Sequence, residues 1–491
     1  MSFYLEKRTY VIFFSFILIL FAIVQTPSHL IEIFTNKNLE LFPPSLVHFI
    51  LFSTGLLILM MSNYISLKEP KKITKPLAQF ITNILLLFIL TILTTDNIYN
   101  LLSLILIFIS LVYVLFYRDD SKLHINEIYL IFSYFFLFFI PLASRYYHSS
   151  DIAEVDNYFR FLLAIPLYLI LREIKIDLYS LFIVINISVI IIGIFSIYYF
   201  YILDESRVRM YTSTATIVGN ISLLFGMLSF VSLKFYKEKS HSLVIPIIAI
   251  TFSLIAWDLS GTRGSIIAVF FVLLFLFSER FKNHILLPSK YVTVMSLLLI
   301  VIFLSQSNVM QRISTSYTST LDYIIDGQEH NWKEENSIVP RLIIWDGSMN
   351  MISKNPISGV GLSNFNKALH LQIINNEIPP VVKANDVSRV TNGMNHAHNQ
   401  YLDIFAKTGI FGLLALIYFI WINLILFFRE LSSRSADIRY SATSGVIIII
   451  SYSSYMLTHS IFSHQQSTLF MIYLLIIFSS IINNYRQKRN K

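Results

Sequence analysis

The chain contains no cysteine. Disulfide bonds, thiolate catalysis and Cys-ligated metal centres are therefore excluded. Charge is scarce as well: 13% of the 491 residues are Asp, Glu, Lys or Arg, against about 25% in soluble domains. Up to about residue 200 there is no internal repeat and no charged residue near the centre of an apolar run. The apolar run after Glu6-Lys7-Arg8 ends in Gln25-Thr26-Pro27-Ser28-His29. It lacks the small-x-small site at which a signal peptide is cut, so it is expected to remain as a first span.

Apolar length is what the chain has in excess, with 55% of residues hydrophobic. Runs fall at about 9–25, 46–66, 77–94, 98–117, 126–144, 158–171, 178–203, 215–233, 241–258, 264–278, 291–306, 408–428, 441–461 and 466–483. Their lengths suit a bilayer, where backbone groups must be satisfied within the segment. The expected fold is an all-α polytopic membrane protein with about 12–14 transmembrane helices and one long, partly helical loop.

The net charge of +8 would hint at nucleic acid in a soluble protein. Here the basic residues flank apolar runs and read as topology determinants, with no nucleic-acid partner. With the N-terminus in the cytoplasm, 23 of the 37 Lys and Arg fall on cytoplasmic segments, and 7 of the other 14 lie in the long loop. A loop of that length is exempt from the rule. Both termini are thus expected inside and residues 307–405 outside. The chain divides into an N-terminal scaffold (1–203), spans with outer arginine motifs (204–306), the outer loop (307–405), and C-terminal spans with a basic cytoplasmic tail (406–491).

A polar patch with two histidines, Asn395-His396-Ala397-His398-Asn399-Gln400-Tyr401-Leu402-Asp403, lies where the long loop re-enters apolar chain. Residues 341–352 and 363–374 read as two loop helices, the first from Leu342, Trp345, Met349 and Ile352 at helical spacing. A third is expected over 396–406. In it, His396 and Gln400 share one face and His398 and Leu402 another.

Imidazole titrates near neutrality and can take a proton from a hydroxyl, so His398 reads as a general base. His396 is a supporting candidate. A His-metal site lacks a third ligand with convincing spacing, Asp403 and His370 being loose, so no metal is expected. His459 and His464 can line the same cavity, but read first as solvated loop residues.

Arg263 stands in Ser260-Gly261-Thr262-Arg263-Gly264-Ser265 at the outer start of a span. An arginine at the edge of the hydrocarbon is costly, and its planar fork suits phosphate oxygens. It reads as an anion binder or as a partner of Asp258. Arg341 can bind the same anion or cap the loop helix. Of Arg207 and Arg209, one reads as a solvated loop charge. Arginines holding an anionic head group and a histidine activating a hydroxyl describe a transferase with a lipid-phosphate leaving group.

At these residues the chain resembles the bacterial O-antigen ligase and polymerase family of envelope glycosyltransferases. The matching pieces are Thr262-Arg263-Gly264-Ser265, Arg341 with Trp345, Asn355-Pro356 through Gly359-Val360-Gly361, His396-Ala397-His398-Asn399 with Tyr401-Leu402, and Gly409-Ile410-Phe411-Gly412. The resemblance implies inverting, metal-independent transfer from an undecaprenyl-pyrophosphate-linked glycan at the periplasmic face of the inner membrane, without a cofactor. It implies His398 as catalytic base and Arg263, Arg341 and Arg209 as pyrophosphate binders, with His396, Asn399, Trp345 and Gly264 in support.

Three acceptors compete. A ligase uses lipid A–core, a polymerase another lipid-linked repeat, and a protein O-oligosaccharyltransferase Ser or Thr. The single long loop, with no large C-terminal outer domain, favours the ligase. A lipid-linked glycan flippase is the alternative of another class, disfavoured because the charges gather on one face.

Overall fold

The computed structural model describes residues 73–116, 123–150, 152–283, 338–381, 391 and 393–489. The expected spans at 9–25, 46–66 and 291–306 lie outside these residues, as do 307–337 and 382–390 of the long loop. The described residues form α-helices, short 3-10 turns and loops, without a strand.

In chain order the helices are α1 (Lys75–Thr91), α2 (Ile98–Phe116), α3 (Ile125–His148), α4 (Asp156–Leu171), α5 (Leu178–Tyr201), α6 (Ala215–Glu238) and α7 (Val244–Leu259). There follow α8 (Ile266–Asn283), α9 (Ile338–Lys354), α10 (Phe365–Ile374), α11 (Gln400–Phe428), α12 (Ala436–Tyr455) and α13 (Gln465–Arg489). Every apolar run that falls on described residues coincides with a helix. Six of the helices are long and apolar enough to cross a membrane, namely α2, α3, α5, α6, α11 and α13, and α1, α7 and α8 are shorter apolar helices. Of the remaining four, α4 and α12 pack within the bundle, and α9 and α10 belong to the long loop.

The layering follows from polarity. Helix α12 carries Ser441, Thr443, Ser444, Ser451 and Ser454, all buried, and would be poorly solvated by hydrocarbon. It sits inside, packed by α6, α8, α11 and α13. Helix α13 is buried along most of its length beside it and α4. The outer helices turn apolar side chains outward, such as Phe132 and Phe139 on α3, Phe270 and Phe271 on α8, and Phe411, Leu414 and Trp421 on α11. An apolar collar of this kind marks a lipid-facing surface.

Where helices pack closest, small residues allow it. Gly219 and Gly226 lie two turns apart on α6; a Cβ on Gly226 would stand 2.1 Å from Ser253 Oγ on α7. One end of the bundle is tied by ion pairs. Arg172 Nε meets Glu127 Oε1 at 3.0 Å with both side chains buried, Tyr168 Oη donates to the same oxygen at 2.9 Å, and Arg439 pairs with Glu238 at 3.0 Å. The opposite end, where α3 finishes and α6, α8, α11 and α13 begin, carries His396, His398, His459 and His464 and the Arg263 turn.

Candidate active site

Helix α11 starts later than its sequence suggests. Asn399 caps it, its Oδ1 accepting the backbone N–H groups of Tyr401 (3.0 Å) and Leu402 (3.2 Å). Such a cap satisfies orphan amides and ends the helix at Gln400. The expected third loop helix over 396–406 therefore does not include the histidines. His398 instead takes a left-handed conformation, φ 51°, a region in which histidine is enriched among non-glycine residues. Face-sharing by helical spacing does not apply to this turn. The rings of His396 and His398 come together, centroids 4.4 Å apart and nearly perpendicular.

This turn is gripped at the peptide between the two histidines. Ala397 N–H donates to Asp403 Oδ1 at 2.9 Å, and Ala397 C=O accepts from Trp345 Nε1 at 2.9 Å. Asp403 is buried and held by Lys407 Nζ at 3.1 Å, one turn on in α11. Lys407 also lies over the Phe365 ring at 5.4 Å. Asp403, read as a loose metal ligand, is thus committed to a backbone amide and an ammonium.

A second pair of histidines completes the cluster. Buried Gln400 ties the α12–α13 connection to the start of α11: its N–H donates to Met456 C=O, and its Oε1 accepts from Phe462 N–H, both at 2.8 Å. His459 stacks on His464 at 4.4 Å, lies 6.5 Å from His398, and His464 lies 6.1 Å from His396. His459 is 4% exposed, so the reading of this connection as a solvated loop is corrected for that residue. His464 reaches the rim, where its Nδ1 lies 3.2 Å from Ser213 Oγ.

The stacked rings of His459 and His464 are within 10° of parallel. A metal bound in both ring planes at once does not fit that stack. Among the described residues no group of three or more His, Asp or Glu side chains is placed to hold a metal ion. His396 Nδ1, His459 Nε2 and His464 Nε2 are buried without a hydrogen-bond partner among the described residues. Unsatisfied groups of this kind cost about 1–3 kcal/mol each.

Burial holds all four imidazoles neutral. His398 is pushed down to about 3, by desolvation first and then by the charges of His396, Arg341 and His464, with Asp403 acting the other way. His396 and His464 go to about 4, and His459 falls well below its ordinary value, burial leading in each case.

The arginines fall as follows. Arg341, on α9, is close enough for its charge to act on both His398 and His459, and burial lowers its own proton affinity. Arg263 occupies the turn between α7 and α8. That turn is braced by Thr262 Oγ1 donating to Ala215 C=O (3.1 Å) and by Trp257 Nε1 donating to Ser265 Oγ (2.9 Å). Its neighbour Gly264 abuts Thr458, which precedes His459 in the chain; a Cβ there would stand 2.8 Å from Thr458 Oγ1. Arg207 lies against the same turn, its Nε donating to Ser260 C=O at 3.2 Å, and its charge acts on Arg341. Arg209, the sequence candidate, is exposed, and its backbone N–H donates to Glu205. The residue against the Arg263 turn is Arg207, two positions earlier.

The glycine pieces have a backbone purpose. Gly409 breaks α11 from within (φ 70°, ψ −167°). The freed carbonyls of Ala406 and Lys407 accept from Val360 N–H (2.8 Å) and Gly361 N–H (3.0 Å), and Ile410 N–H donates to Pro356 C=O (2.9 Å). Non-helical backbone at a membrane boundary needs such protein partners. His148, at the end of α3, lies 3.1 Å by its Nε2 from Ser358 C=O and closes the other side.

Fold and site together define a helical membrane protein with a polar cluster of histidines at one end of the bundle, built across the loop helices and the ends of several spans. Residues 248–417 match the family described as O-antigen ligase. A curated protein of Haemophilus influenzae, described only as uncharacterized, is 28% identical over 406 residues, covering 81% of this chain and 98% of its own. The family segment includes Arg263, Arg341, His396 and His398; it excludes Arg207, His459 and His464.

Proposed function

We propose that the protein is an O-antigen ligase, moving a polysaccharide from undecaprenyl pyrophosphate to a sugar hydroxyl of lipid A–core at the periplasmic face of the inner membrane, with both termini in the cytoplasm. The observation that carries this reading is a neutral, clamped His398 within charge reach of Arg341, at the same end of the bundle as the Arg263 turn.

His398 takes the proton from the acceptor hydroxyl. The acceptor oxygen forms the new bond to the anomeric carbon as the bond to the pyrophosphate oxygen breaks, with inversion. The electron pair leaves with the pyrophosphate, and Arg341 and Arg263, with Arg207 or Arg209, stabilise the charge that develops there. Left-handed His398 is fixed by its neighbours' hydrogen bonds, so little reorganisation accompanies the step. No metal or cofactor takes part. The apolar collar beside the site lets a polyprenyl donor approach from the lipid.

Gene disruption read by lipopolysaccharide gel tests the acceptor. The ligase reading expects loss of the whole ladder from lipid A–core while lipid-linked polymer accumulates. A single-repeat band would instead assign a polymerase, and an intact ladder with unglycosylated protein a protein O-oligosaccharyltransferase.

A further inference from the structure

We infer that His459 and His464, with Ser213 at the rim, form a binding subsite for the hydroxyl groups of the acceptor sugar beside His398. The inference rests on the transferase reading above. It concerns a connection, between α12 and α13, that lies outside the family segment 248–417.

The four rings form a closed circuit, with neighbouring centroids 4.4 Å (396–398), 6.5 Å (398–459), 4.4 Å (459–464) and 6.1 Å (464–396) apart. His459 is more than nine-tenths buried, and its Nε2 has no hydrogen-bond partner among the described residues; the same holds for Nε2 of His464. A neutral imidazole offers one donor and one acceptor, the pairing that a sugar hydroxyl offers in return. Burial keeps these rings uncharged, so they match a neutral pyranose better than a phosphate.

The side of the pocket also decides between donor and acceptor. In an inverting displacement the nucleophile and the leaving group occupy opposite faces of the anomeric carbon. The cationic side is marked by Arg341, whose charge acts on His398 and His459, with Arg207 behind it. His464 contacts Ser213 on the exposed rim, and His459 stacks on His464 while facing His398 at 6.5 Å. The acceptor is therefore assigned to the His459–His464 pair, between the rim and the base.

The test uses the full-length protein reconstituted in vesicles, with a lipid-linked glycan donor and lipid A–core as acceptor probe. Initial rates are measured against each substrate with the other saturating. His459→Ala and His464→Ala are expected to raise the acceptor KM about tenfold or more while the donor KM stays within about twofold. His464→Gln, which keeps a neutral donor and acceptor, recovers most of the loss. If buried His459→Ala fails to fold, His464→Ala and Ser213→Ala at the rim carry the test.

An unchanged acceptor KM in His464→Ala, or a donor KM that rises in step, overturns the subsite. So does loss of wild-type activity in EDTA restored by a divalent cation, which would assign the imidazoles to a metal. Wild-type protein that moves no glycan between these substrates would instead strike at the transferase reading itself, so the two failures are told apart.

Discussion

The residue that matters most here is held by atoms that are not its own. Trp345 and Asp403 grip the Ala397 peptide from opposite sides, and His398 inherits its position. Trp345→Phe removes the part-buried indole N–H and keeps a smaller aromatic ring. A hydrogen bond of this kind contributes about 1 kcal/mol, so kcat is expected to fall roughly fivefold to tenfold with KM for both substrates little changed. An unaltered kcat would place the grip elsewhere. Acid tolerance is a second check. The base must be neutral to act, and His398 titrates near 3, so kcat/KM should stay flat as pH falls from 7.5 to 5.5. An ordinary histidine, titrating near 6.5, would be about nine-tenths protonated at pH 5.5; a tenfold drop over that range would contradict the neutral cluster. Arg263→Lys should be strongly impaired, because a point charge does not replace a planar fork; full transfer by that variant would make Arg263 structural. The sequence singled out His398, Arg263 and Arg341 by residue type and place. It did not reveal the left-handed turn, because the Asn399 cap competes with helix continuation through contacts that helical periodicity does not register.

Among the elements, α11 decides the architecture of the site. Its break at Gly409 turns two carbonyls toward the Gly359–Gly361 segment of the loop. Gly409→Ala would bring a Cβ within 1.9 Å of Ile357 C=O and put alanine at φ 70°. The expected cost is about 2–4 kcal/mol, seen as a lowered unfolding midpoint in detergent and a detached loop domain in limited proteolysis; wild-type stability in this variant would remove the break from the account. The helices themselves were legible because apolar length alone calls for them; α9 followed from its own periodicity, and α10 was expected over 363–374. The α12–α13 connection was not legible. His459 and His464 sit in a short polar stretch that looks solvated in isolation, and distant residues draw it inward: Gln400, about sixty positions earlier, Gly264 against Thr458 and Phe161 against Phe462. A polar connection buried by a distant residue leaves no local signal.

At the scale of the whole molecule, the two ends of the bundle divide the labour. One end is locked by the buried Arg172–Glu127 pair and its neighbours, the other gathers imidazoles and guanidiniums. Glu127→Leu removes the nearer of two carboxylates from a buried guanidinium, with Glu173 remaining at 3.6 Å, and is expected to cost roughly 3 kcal/mol of stability with the site's chemistry otherwise intact in the surviving folded fraction. A variant as stable as the wild type would show the pair to be dispensable. The charge count along the chain places most Lys and Arg on one set of connections but does not say which of the other groups meet. The account as a whole depends on His398 being the group that receives the acceptor's proton. The most direct test is the single-turnover rate of glycan transfer by purified, reconstituted His398→Ala beside the wild type. The account predicts loss of transfer by about a hundredfold or more with lipid-linked donor still bound, whereas transfer at a near-normal rate would contradict it.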